Sequence, residues 1–132
     1  MTTESTIRSA VEAYDRGDFE TVSSLLSDTV CYTINAHPDH GPYRADCHSK
    51  AAFFDAVGPI LSDWRMDSYK ITDLVTSGSR GAARIAVAAT SNHTGRTLQS
   101  GLALFFTVEG GLITAIREYH DTAAVATARA GA

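Results

Sequence analysis

Three short turns limit what this chain can fold into. Ser77-Gly78-Ser79, Asn92-His93-Thr94-Gly95 and Glu109-Gly110-Gly111 separate four long runs: Met66 to Thr76, Ala82 to Ser91, Thr97 to Val108 and Leu112 to His120. Each run is long enough for a strand, and connections this tight join antiparallel neighbours only. The second half of the chain therefore reads as a meander, and the first half has to cover one of its faces.

That first half carries helical spacing. Thr3 can cap a helix whose apolar face is Ile7, Ala10, Val11 and Tyr14. Gly17 ends it, and Asp18 can cap a second helix bearing Phe19, Val22, Leu25 and Leu26. A strand follows over Thr29 to Asn35, with Val30, Tyr32 and Ile34 alternating against Cys31, Thr33 and Asn35. His37-Pro38-Asp39-His40-Gly41-Pro42 reads as a loop, because two prolines and a glycine interrupt any ladder. Ser49 can cap a third helix with Ala52, Phe53, Val57, Ile60 and Leu61 on one face, broken or kinked at Gly58-Pro59. Helices first and a meander afterwards is the α+β pattern, with the helices gathered on one face of a curved antiparallel sheet. Nothing divides residues 1–132 into two domains, and Thr122 to Ala132 reads as a flexible or short helical tail started by Asp121.

Composition narrows the function classes. With 11 Lys+Arg against 15 Asp+Glu and a net charge of −4, the chain lacks the basic face a nucleic-acid binder needs. No apolar run approaches the roughly 20 residues of a membrane helix. The opening Met-Thr-Thr-Glu-Ser-Thr lacks the basic start of a signal peptide, so the expected location is cytoplasmic. Cys31 and Cys47 are too few for a disulfide scaffold and read as reduced thiols. Hydrophobic residues at 44% suffice for a core with room for one cavity.

The last hairpin indicates where that cavity lies. A turn centred on Glu109-Gly110 pairs Phe105 with Thr114, Ala103 with Ile116, Gly101 with Glu118 and Gln99 with His120. One face then carries Gln99, Gly101, Ala103, Phe105, Ile116, Glu118 and His120. The other carries Leu98, Leu102, Leu104, Phe106, Ile113, Ala115, Arg117 and Tyr119. Both are largely apolar, so one is expected to meet the helices and the other a second copy of the chain, making a homodimer. A turn one residue longer would slip the register and exchange the strand faces.

On the first face, Gly101 and Ala103 leave space beside a carboxylate and an imidazole, which is what a ligand cavity needs. Glu118 there suits proton transfer; alternatively it is a satisfied ion pair with Arg84, Arg96 or Arg117. His120 shares its face as a partner or second acid/base, or else sits at the rim bonded to backbone. Tyr14, Tyr32, Phe53, Phe54 and Trp64 serve as core or as pocket wall. His37-x-x-His40 has no third ligand placed by sequence, so no metal is expected. Cys31 could act as a nucleophile only with a base beside it.

Longer segments add a resemblance. Thr94-Gly95-Arg96-Thr97, the apolar run to Val108, Glu109-Gly110-Gly111-Leu112-Ile113 and Ile116-Arg117-Glu118-Tyr119-His120-Asp121-Thr122 resemble SnoaL-like proteins of the NTF2-like superfamily. Tyr14-Asp15-Arg16-Gly17-Asp18 with Leu25-Leu26-Ser27-Asp28, and His40-Gly41-Pro42-Tyr43 leading to Phe53-Phe54, fit the same pattern. The resemblance implies a cone: a strongly bent antiparallel sheet wrapped around three helices, enclosing an apolar pocket and commonly dimerising through its outer face. It also compares reactions. The ketosteroid isomerase tyrosine, base and protonated Asp would fall at Ala10, around Thr33 and at Ala103, none of which can do that chemistry. The epoxide hydrolases of the superfamily take an Asp from the penultimate strand, and Thr97 to Val108 holds no acid. The polyketide cyclases use one acid on the last strand, and Glu118 falls there.

Three functions follow as expectations. The first is a cofactor-independent isomerase, cyclase or dehydratase acting on an apolar cyclic or polyketide-like molecule, with Glu118 as acid/base and His120 assisting. The second is a non-catalytic binding protein for a small hydrophobic ligand, and the third a dimeric module with a filled interior. Cavity size separates the third from the other two, since an enclosed cavity below a few hundred Å³ counts against both ligand readings.

Overall fold

A computed structural model of the chain describes residues 1–36 and 43–130. Helices α1 (Thr3–Asp15) and α2 (Phe19–Leu25) lead into strand β1 (Leu26–Asn35) and a short β2 (Ala45–Cys47). Helix α3 (Lys50–Asp63) precedes the meander β3 (Trp64–Ser77), β4 (Arg80–Ser91), β5 (Thr97–Glu109) and β6 (Leu112–His120), and α4 (Thr122–Arg129) closes the chain. The strands form one sheet in the order β2-β1-β6-β5-β4-β3. All neighbours are antiparallel except β1 and β6, which run parallel because the helix and the whole meander intervene between them.

Local chemistry sets the element ends. Thr2, one residue earlier than Thr3, caps α1 in a reciprocal capping box with Ser5. Gly17 (φ +75°) turns the chain between the first two helices, and the Asp18 carboxylate caps α2 by accepting from Thr21 N–H. Ser49 caps α3, which runs unbroken through Pro59, against the expected break at Gly58-Pro59. Proline cannot donate to the ladder, but one missing bond near the end of a packed helix is tolerated. Asp121 caps α4. The histidines His37 and His40 lie outside the described residues.

A glycine turn and several register shifts reshape the sheet. The β5–β6 turn is a two-residue Gly110-Gly111 loop with both φ angles positive (+60° and +77°), a geometry only glycine adopts without strain. Thr114 is then an extra residue in β6, because Thr107 pairs with Ala115 while Val108 pairs with Ile113. The expected pairing is thereby corrected: Leu102 faces His120, Leu104 faces Glu118 and Phe106 faces Ile116. Likewise β3 shifts register between Met66 and Ser68 and again between Ile71 and Asp73, each shift bending the strand.

The helices fill the concave side, α1 against β3 and α3 against β1. The core holds Ile7, Val11, Val30, Phe53, Ile85, Leu104, Phe106 and Ile113. Phe105 and Tyr119 stay on the convex face at 43% and 45% exposure, their rings edge to face. No helix among the described residues is long and apolar enough to cross a membrane.

Candidate active site

The Thr114 bulge decides which side chains enter the cone. Ile113 and Ile116, three residues apart, both point inward, and beyond the bulge ordinary alternation carries Glu118 and His120 to the same side. Opposite them β5 presents Leu102, Leu104 and Phe106. Gln99, Ala103 and Phe105, expected to line the cavity, lie against the convex side and do not border it, while Gly101 borders its outer part. The space beside Glu118 is therefore not made by small residues on β5. It lies between the sheet and the helices.

Glu118 is 9% exposed. Its partners are not the arginines at 84, 96 or 117. Tyr32 Oη donates to Glu118 Oε1 at 3.0 Å, and His120 Nδ1 lies 3.2 Å from Oε2. His120 is thus tied to the carboxylate rather than to backbone, and its Nε2 is buried with no partner among the described residues. Tyr14 and Tyr69 complete the cluster, their rings 4.7 Å apart. Among the described residues neither hydroxyl of that pair adds a hydrogen bond to the two that hold Glu118.

The electrostatics keep these phenols as donors. Burial pushes the hydroxyl pKa values of Tyr14, Tyr32 and Tyr69 above the usual phenol range, and the charge of Glu118 pushes each in the same direction. A second polar group lies toward α4. Tyr43 Oη donates to Asp63 Oδ2 at 2.6 Å and accepts from Trp64 Nε1 at 2.9 Å. His93 Nε2 lies 2.9 Å from Asp63 Oδ1. Burial, then the Asp63 hydrogen bond, raises the Tyr43 hydroxyl to about 12. The bonds from Tyr43 and His93 hold the Asp63 carboxyl below its usual value.

Tyr14, Tyr32, Tyr69 and Glu118 form a partition with a cavity lobe on each side. The inner lobe, about 60 Å³, is otherwise walled only by apolar side chains, among them Ala10, Val22, Phe53, Val57, Phe106 and Ile116. The outer lobe, about 80 Å³, is bordered by Trp64, Met66, Leu102 and Val125 and also by Ser100, Tyr43, His120 and Asp121. Of the expected wall residues, Phe53 and Ile116 border the inner lobe, Trp64 the outer and Tyr14 and Tyr32 both. Each lobe is well short of a drug-sized pocket. Together they are comparable with the ~150 Å³ apolar cavity that takes one benzene ring.

Sequence alternation missed Tyr69, because the bulge after Met66 moves it inward. The signal was present as Trp64/Met66 and Tyr69/Ile71, two alternating pairs offset by three. Among the described residues no group of three His, Cys, Asp or Glu side chains is placed to hold a metal ion. Cys31 Sγ is exposed 3.6 Å from His48 Nδ1, and neither residue borders the lobes.

The SnoaL-like domain model matches residues 7–116, most of the chain. The chain belongs to the SnoaL-like family. No curated protein matches this SnoaL-like chain by sequence. Its cone recurs in solved structures. An NTF2-like protein of Burkholderia thailandensis is 21% identical with a TM-score of 0.85, covering 97% of both chains. An NTF2-like protein of unknown function from Burkholderia pseudomallei is 18% identical with a TM-score of 0.87, covering 98% of both. A Xanthomonas campestris protein named "putative polyketide cyclase" is 20% identical with a TM-score of 0.83, covering 97% of this chain and 96% of that one. At these identities the likeness is one of fold.

Proposed function

We propose that this SnoaL-like protein is a cofactor-independent acid/base enzyme acting on a small apolar carbonyl compound, of the isomerase, cyclase or dehydratase type. One observation carries the reading: a buried carboxylate shares its cavity partition with two phenol hydroxyls that have no partner among the described residues. Both tyrosines border the lobes, so their hydroxyls are available to a molecule held there.

In this reading Glu118 removes a proton from the carbon next to the carbonyl. The C–H electron pair moves to the carbonyl oxygen, and the proton rests on Glu118. Tyr14 and Tyr69 donate to that oxygen as it gains charge, which is where fixed donors accelerate most. Tyr32 and His120 hold the carboxylate in place. Glu118 then returns the proton to another atom of the same molecule. The Xanthomonas protein's name is consistent with enolate chemistry on this fold.

Proton exchange tests this without knowing the natural substrate. Cyclic ketones such as 2-propylcyclohexanone, incubated in D₂O and followed by NMR, should exchange their α-protons faster with the protein than without it. Glu118→Gln should abolish the acceleration and keep binding. Binding with no exchange in either form would instead establish the non-catalytic binding protein.

A further inference from the structure

His120 carries a feature that the proton-transfer reading does not use. Its side chain is 8% exposed, its ring borders the outer lobe, and Nδ1 is engaged by Glu118. Nε2 is buried without a partner among the described residues. Buried ring nitrogens are ordinarily satisfied, so an orphan beside a cavity points to a group the free protein lacks. A carboxylate only accepts, so Nδ1 carries the hydrogen that joins His120 to Glu118, and in the imidazole form of the ring the other nitrogen, Nε2, is then an acceptor. What fits there is a hydrogen-bond donor.

The chemistry of the lobe restricts the donor further. Asp121 borders the same lobe and Glu118 its floor, so a second anionic group is disfavoured and a neutral hydroxyl is favoured. The inner lobe has no polar wall besides the partition, and at about 60 Å³ it takes only a short alkyl arm. We propose that the outer lobe is a hydroxyl subsite, with His120 Nε2 as its acceptor. The site then takes small hydroxy-carbonyl compounds: carbonyl at the tyrosine–Glu118 partition, hydroxyl in the outer lobe, short alkyl arm in the inner lobe. The assignment of the carbonyl rests on the proposed function; that of the hydroxyl rests on His120.

Calorimetric titration of 2-propylcyclohexanone and 3-hydroxy-2-propylcyclohexanone tests it. The hydroxylated probe should bind the wild-type protein about tenfold more tightly, because it satisfies a buried orphan. His120→Asn keeps a donor near the place of Nδ1 and removes Nε2, so the preference should fall to about one. His120→Gln keeps a polar atom near the place of Nε2 and should retain most of it. Equal binding of the two probes by wild type, no saturation of either at millimolar concentration, or an undiminished preference in His120→Asn overturns the proposal. Deuterium exchange separates the two readings. A hydroxyl preference without exchange removes the proposed reaction alone, and exchange without a preference removes the hydroxyl subsite alone.

Discussion

The bond between Tyr32 and Glu118 has a measurable energy. Tyr32 is 4% exposed and Glu118 9%, so their bond lies out of bulk solvent. A hydrogen bond to an ionised group contributes about 1.5–3 kcal/mol, and the 3.0 Å contact is of ordinary length. Tyr32→Phe should therefore cost about 2 kcal/mol. Glu118→Ala should cost more, because it leaves the Tyr32 hydroxyl and His120 Nδ1 both without their acceptor. The double variant should cost about 2 kcal/mol less than the sum of the two. Urea unfolding of the four proteins reads this directly, each 2 kcal/mol moving the midpoint by about 1 M at a typical slope. Tyr14→Phe and Tyr69→Phe serve as controls. Their hydroxyls add no bond to the Glu118 cluster among the described residues, so each should change stability by less than about 0.5 kcal/mol. Additivity of Tyr32→Phe and Glu118→Ala within about 0.5 kcal/mol would refute the arrangement, since independent sites behave that way.

Three further outcomes are expected. Hydrogen bonds from Tyr43 and His93 hold the folded Asp63 carboxyl below its usual value, so the unfolded chain binds more protons below about pH 4 and stability falls there as pH drops. Asp63→Asn should flatten that acid limb in pH-dependent unfolding, and an unchanged slope would contradict it. A methyl at Gly81 would collide with Ile7 Cδ1, so Gly81→Ala should cost about 1–3 kcal/mol; Ile7→Val, which lacks that atom, should remove most of the penalty in the double variant. The homodimer expected from the sequence would form through the convex face carrying Ala103, Phe105, Arg117 and Tyr119. Sedimentation should give about twice 14.1 kDa for wild type and 14.1 kDa for Phe105→Glu, whereas a wild-type monomer at micromolar concentration would end the expectation.

The helices and the meander were legible because caps and turns are local. Asp18, Ser49 and Asp121 start their helices by accepting from the nearby N–H groups of Thr21, Ala52 and Ala124, and those residues can be read off the chain. Glu118 and His120 were legible for a similar reason, since two residues apart on one strand means one face wherever the strand lies. What lay opposite them was not. The expected pairing placed Gly101 opposite Glu118 and Gln99 opposite His120; the structure places Leu104 and Leu102 there. The turn on Gly110-Gly111, centred one residue later than expected, moves the pairing by two positions, and the inserted Thr114 moves it by one more and so exchanges the faces; the Thr114 side chain bonds only weakly to Thr107 O at 3.4 Å and announces nothing in its own chemistry.

The same kind of irregularity brings in the residue that alternation missed. Strict period two from Met66 would turn Ser68 and Lys70 inward and leave Tyr69 on the convex face. The register shift after Met66 reverses this, putting a phenol where a lysine would otherwise point at the core. Both bulges bend their strands, and a bent sheet is what encloses a volume between itself and the helices. Curvature and site composition therefore have one cause here. Without the insertions the sheet would be flatter, and the concave face would lose the opposition of Tyr69 on β3 to Glu118 on β6 across the cone. A sequence that keeps the spacings Met66-x-x-Tyr69 and Ile113-x-x-Ile116 specifies the cavity and its chemistry together. These two three-residue gaps carry more information about function than the alternating stretches around them.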